Sequence, residues 1–520
     1  MMTRRNFLEF LGKTSILSTT AMTGCTWGKS SSAIPHLPTS NADTFQTVAG
    51  INWNILIKAF DPISKKDNFG QDNDYLGYIP LDPTHPLEGF LWANHEIYRP
   101  QYLTGWDSQR SREPRSPERL KLERYQVGGS LLHVKKTSAG WKVIQDSNLS
   151  RRYTGETPIP FSNSNKILGS SQAKGTLGNC CGGLTPWGTF LSCEENYHHF
   201  YGESVFDPAT KKYVYKPANH RLAWDTTDPQ PPEHYGWVNE INPRTGHIQK
   251  IVELGRFAHE GATVVTAHDG RIVVYMGDDS ADQCFYKFVS NEKGNINSGT
   301  LYVANTTLGK WIPLDVNKNS ELKKRFGNQT ELLIRTRDAA HLVGGTPLDR
   351  PEDCEVDPIN RDIYLTCTNN KNNPHGHILK LSESGADHLA ETFTSTIFLR
   401  GGKDSGFSSP DNLAFDKNGN LWMVSDMDDD KPGYEGFGNN GLFFIPTRGQ
   451  FAGLAHRLAI APIKAELTGL FFAPDNETLF LSVQHPGGTS HWPEGGSADP
   501  KSAVVTLSGP TLQRLMNLKA

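Results

Sequence analysis

Short apolar runs separated by turn-forming residues recur along the whole chain. In the clearest example, residues 413–415 and 421–424 are apolar and the pair Asn418-Gly419 stands between them. Two β-prone runs joined by an Asn-Gly turn are typical of a β-hairpin. The same arrangement, with a polar residue at each outer end, occurs six times. The six copies cover residues 76–96, 182–196, 260–279, 352–368, 410–426 and 468–485.

A repeat of six strand pairs, with longer variable segments between them, predicts an all-β fold. We expect a six-bladed, irregular β-propeller with loop and helical insertions. The 49 glycines and 32 prolines among the 520 residues suit many short strands joined by turns. Propellers reach this length as one unit, so residues 46–520 are predicted to form a single domain. The net charge of -4 gives no reason to expect a nucleic-acid partner.

Residues 1–30 carry the signs of an export signal. Arg4-Arg5 is a twin-arginine pattern, and a modestly apolar stretch follows it. The alternative is a short basic amphipathic helix. The four residues that end at Cys25 resemble a lipobox, which makes Cys25 a candidate for lipid attachment. Residues 31–45 are rich in Ser, Thr and Pro and are predicted to be a flexible tether.

These N-terminal features predict where the protein acts. We expect it to use the twin-arginine export machinery and to be periplasmic, cell-surface or secreted. No later stretch of the sequence approaches the roughly 20 apolar residues that a membrane-spanning helix needs.

Acidic residues flank the predicted hairpins, and a propeller would bring them together around its axis. Acidic residues inside the turns, such as Asp269, Asp416 and Asp475, are better explained as turn caps. Burying many carboxylates near one axis is prohibitive unless cations compensate, so the flanking set predicts bound metal. The flanking residues are Glu96, Glu194, Glu195, Glu260, Asp278, Asp279, Glu352, Glu355, Asp411 and Asp426.

The type of metal depends on Cys180, which lies in the Gly-rich segment 178–183. Sites made of oxygen ligands alone suit Ca²⁺, Mg²⁺ or Mn²⁺, whereas a thiolate among carboxylates indicates iron or another transition metal. An ordinary packed thiol is the alternative, and the spacing alone favours it.

Several longer motifs carry a resemblance to a known family. Together they resemble the signature of the PhoX alkaline phosphatases, in the family's order, between about residues 90 and 490. Cys181 departs from the family pattern, in which alanine is common, and the chain is shorter than many members. The motifs are NCCGG (179–183), TPWGT (185–189), CEEN (193–196), HEGA (259–262), YMGDD (275–279), RPEDCE (350–355), SPDN (409–412) and VQHPG (483–487).

The resemblance implies an exported phosphatase that cleaves small-molecule phosphomonoesters to inorganic phosphate. It implies a cluster of Fe³⁺ and Ca²⁺, with attack by a metal-activated oxygen species, and a protein that acts as a monomer. Cys180, Glu260 and Glu352 would be iron ligands, and Arg350 and Lys174 would bind phosphate. His259 and His485 could orient carboxylates. The remaining metal ligands would be Glu194, Glu195, Asp278, Asp279, Glu355, Asp411 and Asp426.

Two other functions are compatible with a propeller of this kind. One is a calcium-dependent hydrolase, either a lactonase or a phosphodiesterase or phosphotriesterase, which needs no cysteine ligand. The other is a non-catalytic propeller, in which calcium stabilises the blades and the surface binds a partner.

Overall fold

The computed structural model describes residues 34–105, 113–427 and 432–519, and residues Pro35–Ala520 form one compact unit. The predicted export signal and Cys25 lie outside the described residues. In the described part of the chain, no helix is both long and apolar enough to cross a membrane.

Six antiparallel sheets, here called blades 1 to 6, contain most of the strands. The N-terminal strands are β1 (Gln46–Thr47) and β2 (Asn52–Lys58). Blade 1 contains β3 (Asn73–Pro80), β4 (Glu88–His95), β5 (Gly128–Thr137), β6 (Gly140–Val143) and β7 (Arg151–Tyr153). The hairpin of β8 (Pro158–Pro160) and β9 (Gln172–Lys174) follows. Blade 2 contains β10 (Asn179–Leu184), β11 (Phe190–Glu194), then, after the inserted hairpin β12 (Glu203–Asp207) and β13 (Lys212–Lys216), β14 (Val238–Ile241) and β15 (Ile248–Ile251).

The remaining blades follow in chain order. Blade 3 contains β16 (Thr263–Thr266), β17 (Arg271–Gly277), β19 (Phe285–Lys293), β20 (Gly299–Asn305) and β21 (Lys310–Pro313), and β18 (Ala281–Gln283) pairs with β22 (Leu348–Asp349). Blade 4 contains β23 (Pro351–Val356), β24 (Ile363–Cys367), β25 (His377–Glu383) and β26 (Phe393–Arg400). Blade 5 contains β27 (Pro410–Phe415), β28 (Leu421–Ser425), β29 (Gly441–Ile445) and β30 (His456–Ile460). Blade 6 contains β31 (Glu466–Phe472), β32 (Leu479–Gln484) and β33 (Ala503–Ser508).

Short helices occupy the insertions and the C-terminus. They are α1 (Pro100–Thr104), α2 (Pro117–Gln126), α3 (His198–Tyr201), α4 (Ser320–Phe326), α5 (Gln329–Ile334), α6 (Thr336–Leu342) and α7 (Pro510–Met516). The innermost strands β3, β10, β16, β23, β27 and β31 contact one another in this order, and β31 contacts β3, so the blades close into a ring. The predicted six-bladed propeller with loop and helical insertions is confirmed.

The N-terminal strands join the ends of the chain. β2 pairs with β33 and completes blade 6, while β1 pairs with β30 at the edge of blade 5. The preceding residues also bind the propeller: the Leu37 amide donates a hydrogen bond to the Arg457 carbonyl (2.8 Å), and the Ser490 hydroxyl donates one to the Asp43 carboxylate (2.6 Å). The described part of residues 31–45 therefore docks on the propeller, and does not form the flexible tether that we predicted.

Every innermost strand carries the same irregularity near its N-terminal end. In blade 2, Asn179 faces Glu194 but Gly182 faces Ser192, so one extra residue stands on β10. This is a β-bulge, which reorients side chains locally. Blades 1, 4, 5 and 6 have the same offset. Blade 3 has it too, because His259 faces Asp278 whereas Thr263 faces Tyr275, which leaves one extra residue on the side of β16. The first residues of the six bulges are Asp74, Cys180, Glu260, Glu352, Asp411 and Gly469.

The apolar core is divided among the interfaces between neighbouring blades. Trp92 of blade 1 stacks on Phe190 of blade 2 with ring centroids 5.9 Å apart, and both side chains are buried. The second strands of the blades, such as β17 and β28, are buried along nearly their whole length, which is why they read as nearly continuous apolar runs.

Closure of the ring should depend on the buried side of β2. Ile57 is 3% exposed, whereas Ile55 on the same strand is 37% exposed. Ile57→Ala should lower the free energy of unfolding by about 2 to 5 kcal/mol, because it leaves a cavity in the core. The matched control Ile55→Ala should cost about 0.5 kcal/mol or less. Urea denaturation of both variants checks this, and equal losses would contradict it.

Candidate metal centre

Acidic side chains from all six blades meet at one end of the central channel. The first residues of the bulges supply one set, and the residues that follow the second strand of a blade supply another. We call the following nine carboxylates and one thiol the acidic cluster: Asp74, Glu96, Cys180, Glu195, Glu260, Asp279, Glu352, Asp411, Asp426 and Glu466.

Cys180 is the shared member of two groups of possible metal ligands. Its Sγ lies 3.0 Å from Glu260 Oε1 and 3.3 Å from Asp74 Oδ2. The ligand atoms of Cys180, Asp74 and Glu96 all lie within 4.8 Å of one another, and so do those of Cys180, Glu195 and Glu260. All five residues are buried, so the thiol stands between two adjacent sets of carboxylates.

Side-chain amides hold several of these carboxylates in place. Asn196 Nδ2 donates hydrogen bonds to Glu96 Oε1 (2.8 Å) and to Glu195 Oε2 (2.7 Å). Gln484 Nε2 donates to Asp74 Oδ2 (2.6 Å) and to Glu96 Oε2 (3.1 Å). These amides are neutral, so they orient the carboxylates without balancing their charge.

Arg350 supplies positive charge at one side of the acidic cluster. Its Nε and Nη2 donate to the two carboxylate oxygens of Asp279 at 2.8 and 2.7 Å, and Nη2 also lies 2.7 Å from Glu352 Oε1. One guanidinium cannot balance nine carboxylates, so the acidic cluster carries a large excess of potential negative charge.

The cluster shows the features of a site that requires cations. Asp74 Oδ1, Glu352 Oε2 and Asp411 Oδ2 are buried and accept no hydrogen bond. Burial raises the pKa of Asp74 to about 6, and burial together with the charge of Asp74 raises the pKa of Glu96 to about 8. A buried carboxylate must either take up a proton or bind a cation. The donor set of one thiolate and many carboxylates therefore fits metal ions.

A cavity of about 310 Å³ lies beside the cluster and includes Arg350 and Asp426 in its lining. We call it the mouth cavity. Its other lining residues include Asn369, Tyr434, Lys464 and His485.

Comparison with known proteins places this site in a family. The model of the family "Alkaline phosphatase PhoX" matches residues 34–487. The chain belongs to the PhoX family. The structure of Pseudomonas fluorescens PhoX in complex with vanadate, a transition-state analogue, superposes with a TM-score of 0.82 at 30% identity, covering 92% of this chain and 98% of that one. Our identification from the sequence motifs is confirmed, and the protein is a metal-dependent phosphatase that acts on phosphomonoesters.

Other solved structures are much less similar to this chain. A gluconolactonase from Xanthomonas campestris has a TM-score of 0.39 at 10% identity, covering 92% of this chain and 98% of its own. A protein from Dyadobacter fermentans has a TM-score of 0.39 at 10% identity, covering 89% of this chain and 100% of its own. No curated protein matches the sequence significantly.

The structure of this PhoX chain brings most of the predicted site residues together. Cys180, Glu195, Glu260, Asp279, Glu352, Asp411 and Asp426 belong to the acidic cluster, with Arg350 bound to two of them. Asp74 and Glu466 also belong to it and were missed from the sequence, and Glu96 was noted only as a flanking residue. Asp74 occupies the same position in its bulge as Cys180 does, because each stands two residues before the regular pairing resumes, at Leu76 and at Gly182. The sequence did not reveal this match because the first hairpin is the most degenerate copy.

Glu194 and Asp278, which we predicted as metal ligands, face away from the cluster. Glu194 lies 2.5 Å from Lys250 Nζ and accepts hydrogen bonds from the backbone amides of the two residues that precede β14. Asp278 forms an ion pair with Arg337 Nη2 at 2.5 Å. Neighbours in an extended segment point to opposite sides, so only Glu195 and Asp279 of these two pairs reach the axis.

Glu355 and Lys174 also lie elsewhere. Glu355 lines a separate cavity of about 400 Å³, formed near the C-terminal ends of the innermost strands and therefore at the other end of the channel. Lys174 lies 2.7 Å from Asp228 Oδ2 and 3.7 Å from Glu156 Oε2, so an acidic pair outside the cluster holds it. His259, which we considered as an orienting residue, contacts the carbonyl of Gly255 through Nε2 (2.9 Å).

A chain freed of metal by a chelator should become less stable as the pH rises. The pKa values of Asp74 and Glu96 are about 6 and about 8 in the folded chain, above the ordinary 3.8 and 4.5. Over the interval between these values the folded state binds protons that the unfolded state has released, so stability falls with rising pH until about pH 8. The melting temperature of the metal-free chain, followed from about pH 5 to about pH 8, should decrease.

Two controls accompany this pH series. Glu96→Gln should reduce the decrease, because it removes the group whose pKa is raised to about 8. Restored metal should also reduce it, because a cation replaces the protons. A melting temperature that stays constant or rises with pH in the metal-free chain would contradict the expected burial of ionisable carboxylates.

Proposed function

We propose that this protein hydrolyses small-molecule phosphomonoesters outside the cytoplasm, with a mixed iron and calcium centre held by the acidic cluster. The observation that carries the proposal is the position of Cys180, shared between two buried groups of carboxylate ligands. Calcium alone prefers oxygen ligands, so a thiolate at the middle of the ligand set favours a transition metal beside it.

The ligand set divides by chemistry. Cys180 and Glu260 are the proposed iron ligands, with Glu195 close to both. The charge of Glu352 contributes to the raised pKa of Glu260, which supports a position for Glu352 beside the same ions. The oxygen-only part of the cluster, including Asp411 and Glu466, suits calcium.

When bound, the metal ions supply Lewis acidity to the phosphoryl oxygens and lower the pKa of a bound water. The side chains of the protein bind and orient the substrate around them. Arg350 lines the mouth cavity and is 28% exposed at its side chain, so its guanidinium can face a phosphate entering there. Its Nε and Nη2 bind the carboxylates, so the other edge of the guanidinium can donate to phosphate, and its charge reduces the repulsion from the carboxylates behind it.

The proposal is tested on the chain from residue 35 onward, loaded with iron and calcium. Hydrolysis of p-nitrophenyl phosphate at alkaline pH should be measurable, and a calcium chelator should abolish it. Elemental analysis of the same sample should find both metals. A sample that contains calcium without iron and has no phosphomonoesterase activity would exclude the mixed centre, and would favour the calcium-dependent hydrolase or the binding propeller.

Cys180 and Cys181 form a matched pair for mutation. They are consecutive residues of one bulge, but Cys181 lines the cavity at the other end of the channel. Mutation of a residue that hydrogen-bonds to a metal ligand typically lowers activity by about 10- to 100-fold. Loss of a direct ligand in Cys180→Ser should therefore lower kcat/KM by at least about 100-fold. Iron content should fall with it. Cys181→Ser should keep both iron and activity, and equal losses in the two variants would contradict the assignment.

Export by the twin-arginine route is part of the proposal and rests on Arg4-Arg5. In a bacterial host, the full chain should appear in the periplasmic or cell-surface fraction. Replacing both arginines with lysine should keep it in the cytoplasm, as followed by cell fractionation. Unchanged export of the double variant would exclude this route, and labelling with a radioactive fatty acid would test whether Cys25 carries a lipid.

A further inference from the structure

A buried amide of blade 1 contacts the bulge that presents Cys180. Asn94 lies near the end of β4, and its side chain is buried. Its Nδ2 donates hydrogen bonds to the backbone carbonyls of Cys180 (2.5 Å) and Cys181 (2.9 Å), which lie in the bulge of β10. A side chain of one blade therefore binds the backbone that carries the thiol of the acidic cluster in the next blade.

The bulge explains why these two carbonyls take a side-chain partner. Asn179 faces Glu194 and Gly182 faces Ser192, so two residues of β10 lie opposite one residue of β11. A bulge disrupts the ladder of hydrogen bonds locally, and a buried carbonyl without a partner is costly. Asn94 satisfies both carbonyls with one amide group, and it thereby ties the bulge to β4.

The neighbours of Asn94 determine which way its amide points. The indole Nε1 of Trp92 can only donate, and it donates to Asn94 Oδ1 (2.7 Å). Backbone carbonyls can only accept, so Nδ2 must face the bulge. Ser192 Oγ donates a second hydrogen bond to Oδ1 (2.7 Å), so all four hydrogen-bonding positions of the amide are used. An amide that is satisfied in this way has one orientation, which a positioning residue requires.

The same amide ends a buried polar network that begins at an ion pair. Ser192 Oγ accepts a hydrogen bond from Asn179 Nδ2 (2.9 Å), which also donates to Thr176 Oγ1 (2.7 Å). Thr176 Oγ1 donates to Glu194 Oε1 (2.8 Å), and Lys250 Nζ binds the same oxygen at 2.5 Å. All five side chains are buried, and a buried network with satisfied members is rigid. The ion pair of Glu194, which we first predicted as a metal ligand, therefore supports the amide behind the thiol.

The side-chain contacts of the thiol cannot fix it, because they are contacts with carboxylates of the cluster. Cys180 Sγ lies 3.0 Å from Glu260 Oε1 and 3.3 Å from Asp74 Oδ2. Buried carboxylates repel one another until a cation compensates them, so they do not define a position for the thiol before metal binds. A metal ligand must be held to within about 0.5 Å by its supporting residues. The backbone of the bulge has to supply this precision.

We propose that Asn94 is a positioning residue of the metal centre and that it holds Cys180 where the thiolate binds metal. The inference rests on the proposed function, in which Cys180 is a metal ligand, and it adds the residue that places this ligand. Asn94 acts through the backbone of the bulge, so its effect reaches the metal by way of Cys180.

Titration of the metal-free chain from residue 35 onward with Co²⁺ tests the inference independently of phosphatase activity. A thiolate bound to Co²⁺ gives a charge-transfer band in the near ultraviolet, so the band reports on Cys180. Asn94→Ala should weaken the apparent affinity for Co²⁺ by about 10- to 100-fold, the usual effect of changing a residue that orients a metal ligand. The band for each bound Co²⁺ should also be weaker, because the thiol is displaced.

Two further variants separate positioning from a general loss of stability. Ser192→Ala removes one of the two hydrogen bonds that Asn94 Oδ1 accepts, so it should weaken Co²⁺ binding by a smaller factor. It is the milder variant and carries the test if Asn94→Ala does not fold. Asn420→Ala also removes a buried amide, which donates to the Leu518 carbonyl (2.8 Å) from the turn between β27 and β28. It should lower the melting temperature but leave the Co²⁺ affinity and the band unchanged.

Cys180→Ser distinguishes failure of this inference from failure of the proposed function. If the unmodified chain shows the band and Cys180→Ser removes it, then unchanged Co²⁺ binding and an unchanged band in the Asn94 and Ser192 variants would overturn the inference alone. If the unmodified chain shows no band, or Cys180→Ser keeps it, the metal-ligand role of Cys180 fails and the inference fails with it. Equal losses of affinity in Asn94→Ala and Asn420→Ala would also overturn the inference, because the effect would then be one of stability.

Discussion

Mutual repulsion among acidic groups buried around one axis is the constraint on which the rest of this structure depends. Nine carboxylates and a thiol meet where the blades converge, and several of their oxygens accept no hydrogen bond. All of these groups except the half-buried Asp426 and Glu466 are buried, so protons or cations must compensate the charge. The fold must therefore be stable enough to hold the groups together before any ion binds, and the apolar interfaces between the blades supply that stability.

A repeated bulge converts this ring of blades into a ligand set. Each innermost strand gains one residue at the same level, and the first residue of five bulges is Asp, Glu or Cys. Blade 6 is the exception: its bulge begins with Gly469, where a Cβ atom would lie 2.4 Å from the Asp74 carbonyl oxygen. Glu466, placed earlier on β31, contributes the acidic group of that blade.

Ion pairs behind the cluster keep neighbouring acids out of it. Lys250 binds Glu194, and Arg337 binds Asp278, each at the end of the strand that supplies Glu195 or Asp279. Breaking a buried pair leaves an uncompensated charge, so these pairs fix the strand ends from which the ligands project. On the open side, Arg350 borders the mouth cavity, where an anionic substrate would enter.

The sequence alone determined the six hairpins, the family and most members of the acidic cluster, because turn chemistry and apolar runs are local signals that survive in each repeat. It could not separate Glu195 from Glu194 or Asp279 from Asp278, since the side of a strand that faces the axis depends on the register of the bulge. It missed Asp74, which precedes the most degenerate copy of the hairpin, and Glu466, which lies before the first residue of the sixth copy. The tertiary structure alone decided that Lys174 pairs with Asp228 and Glu156 rather than joining the cluster, because residues far apart in the chain meet only in the folded protein.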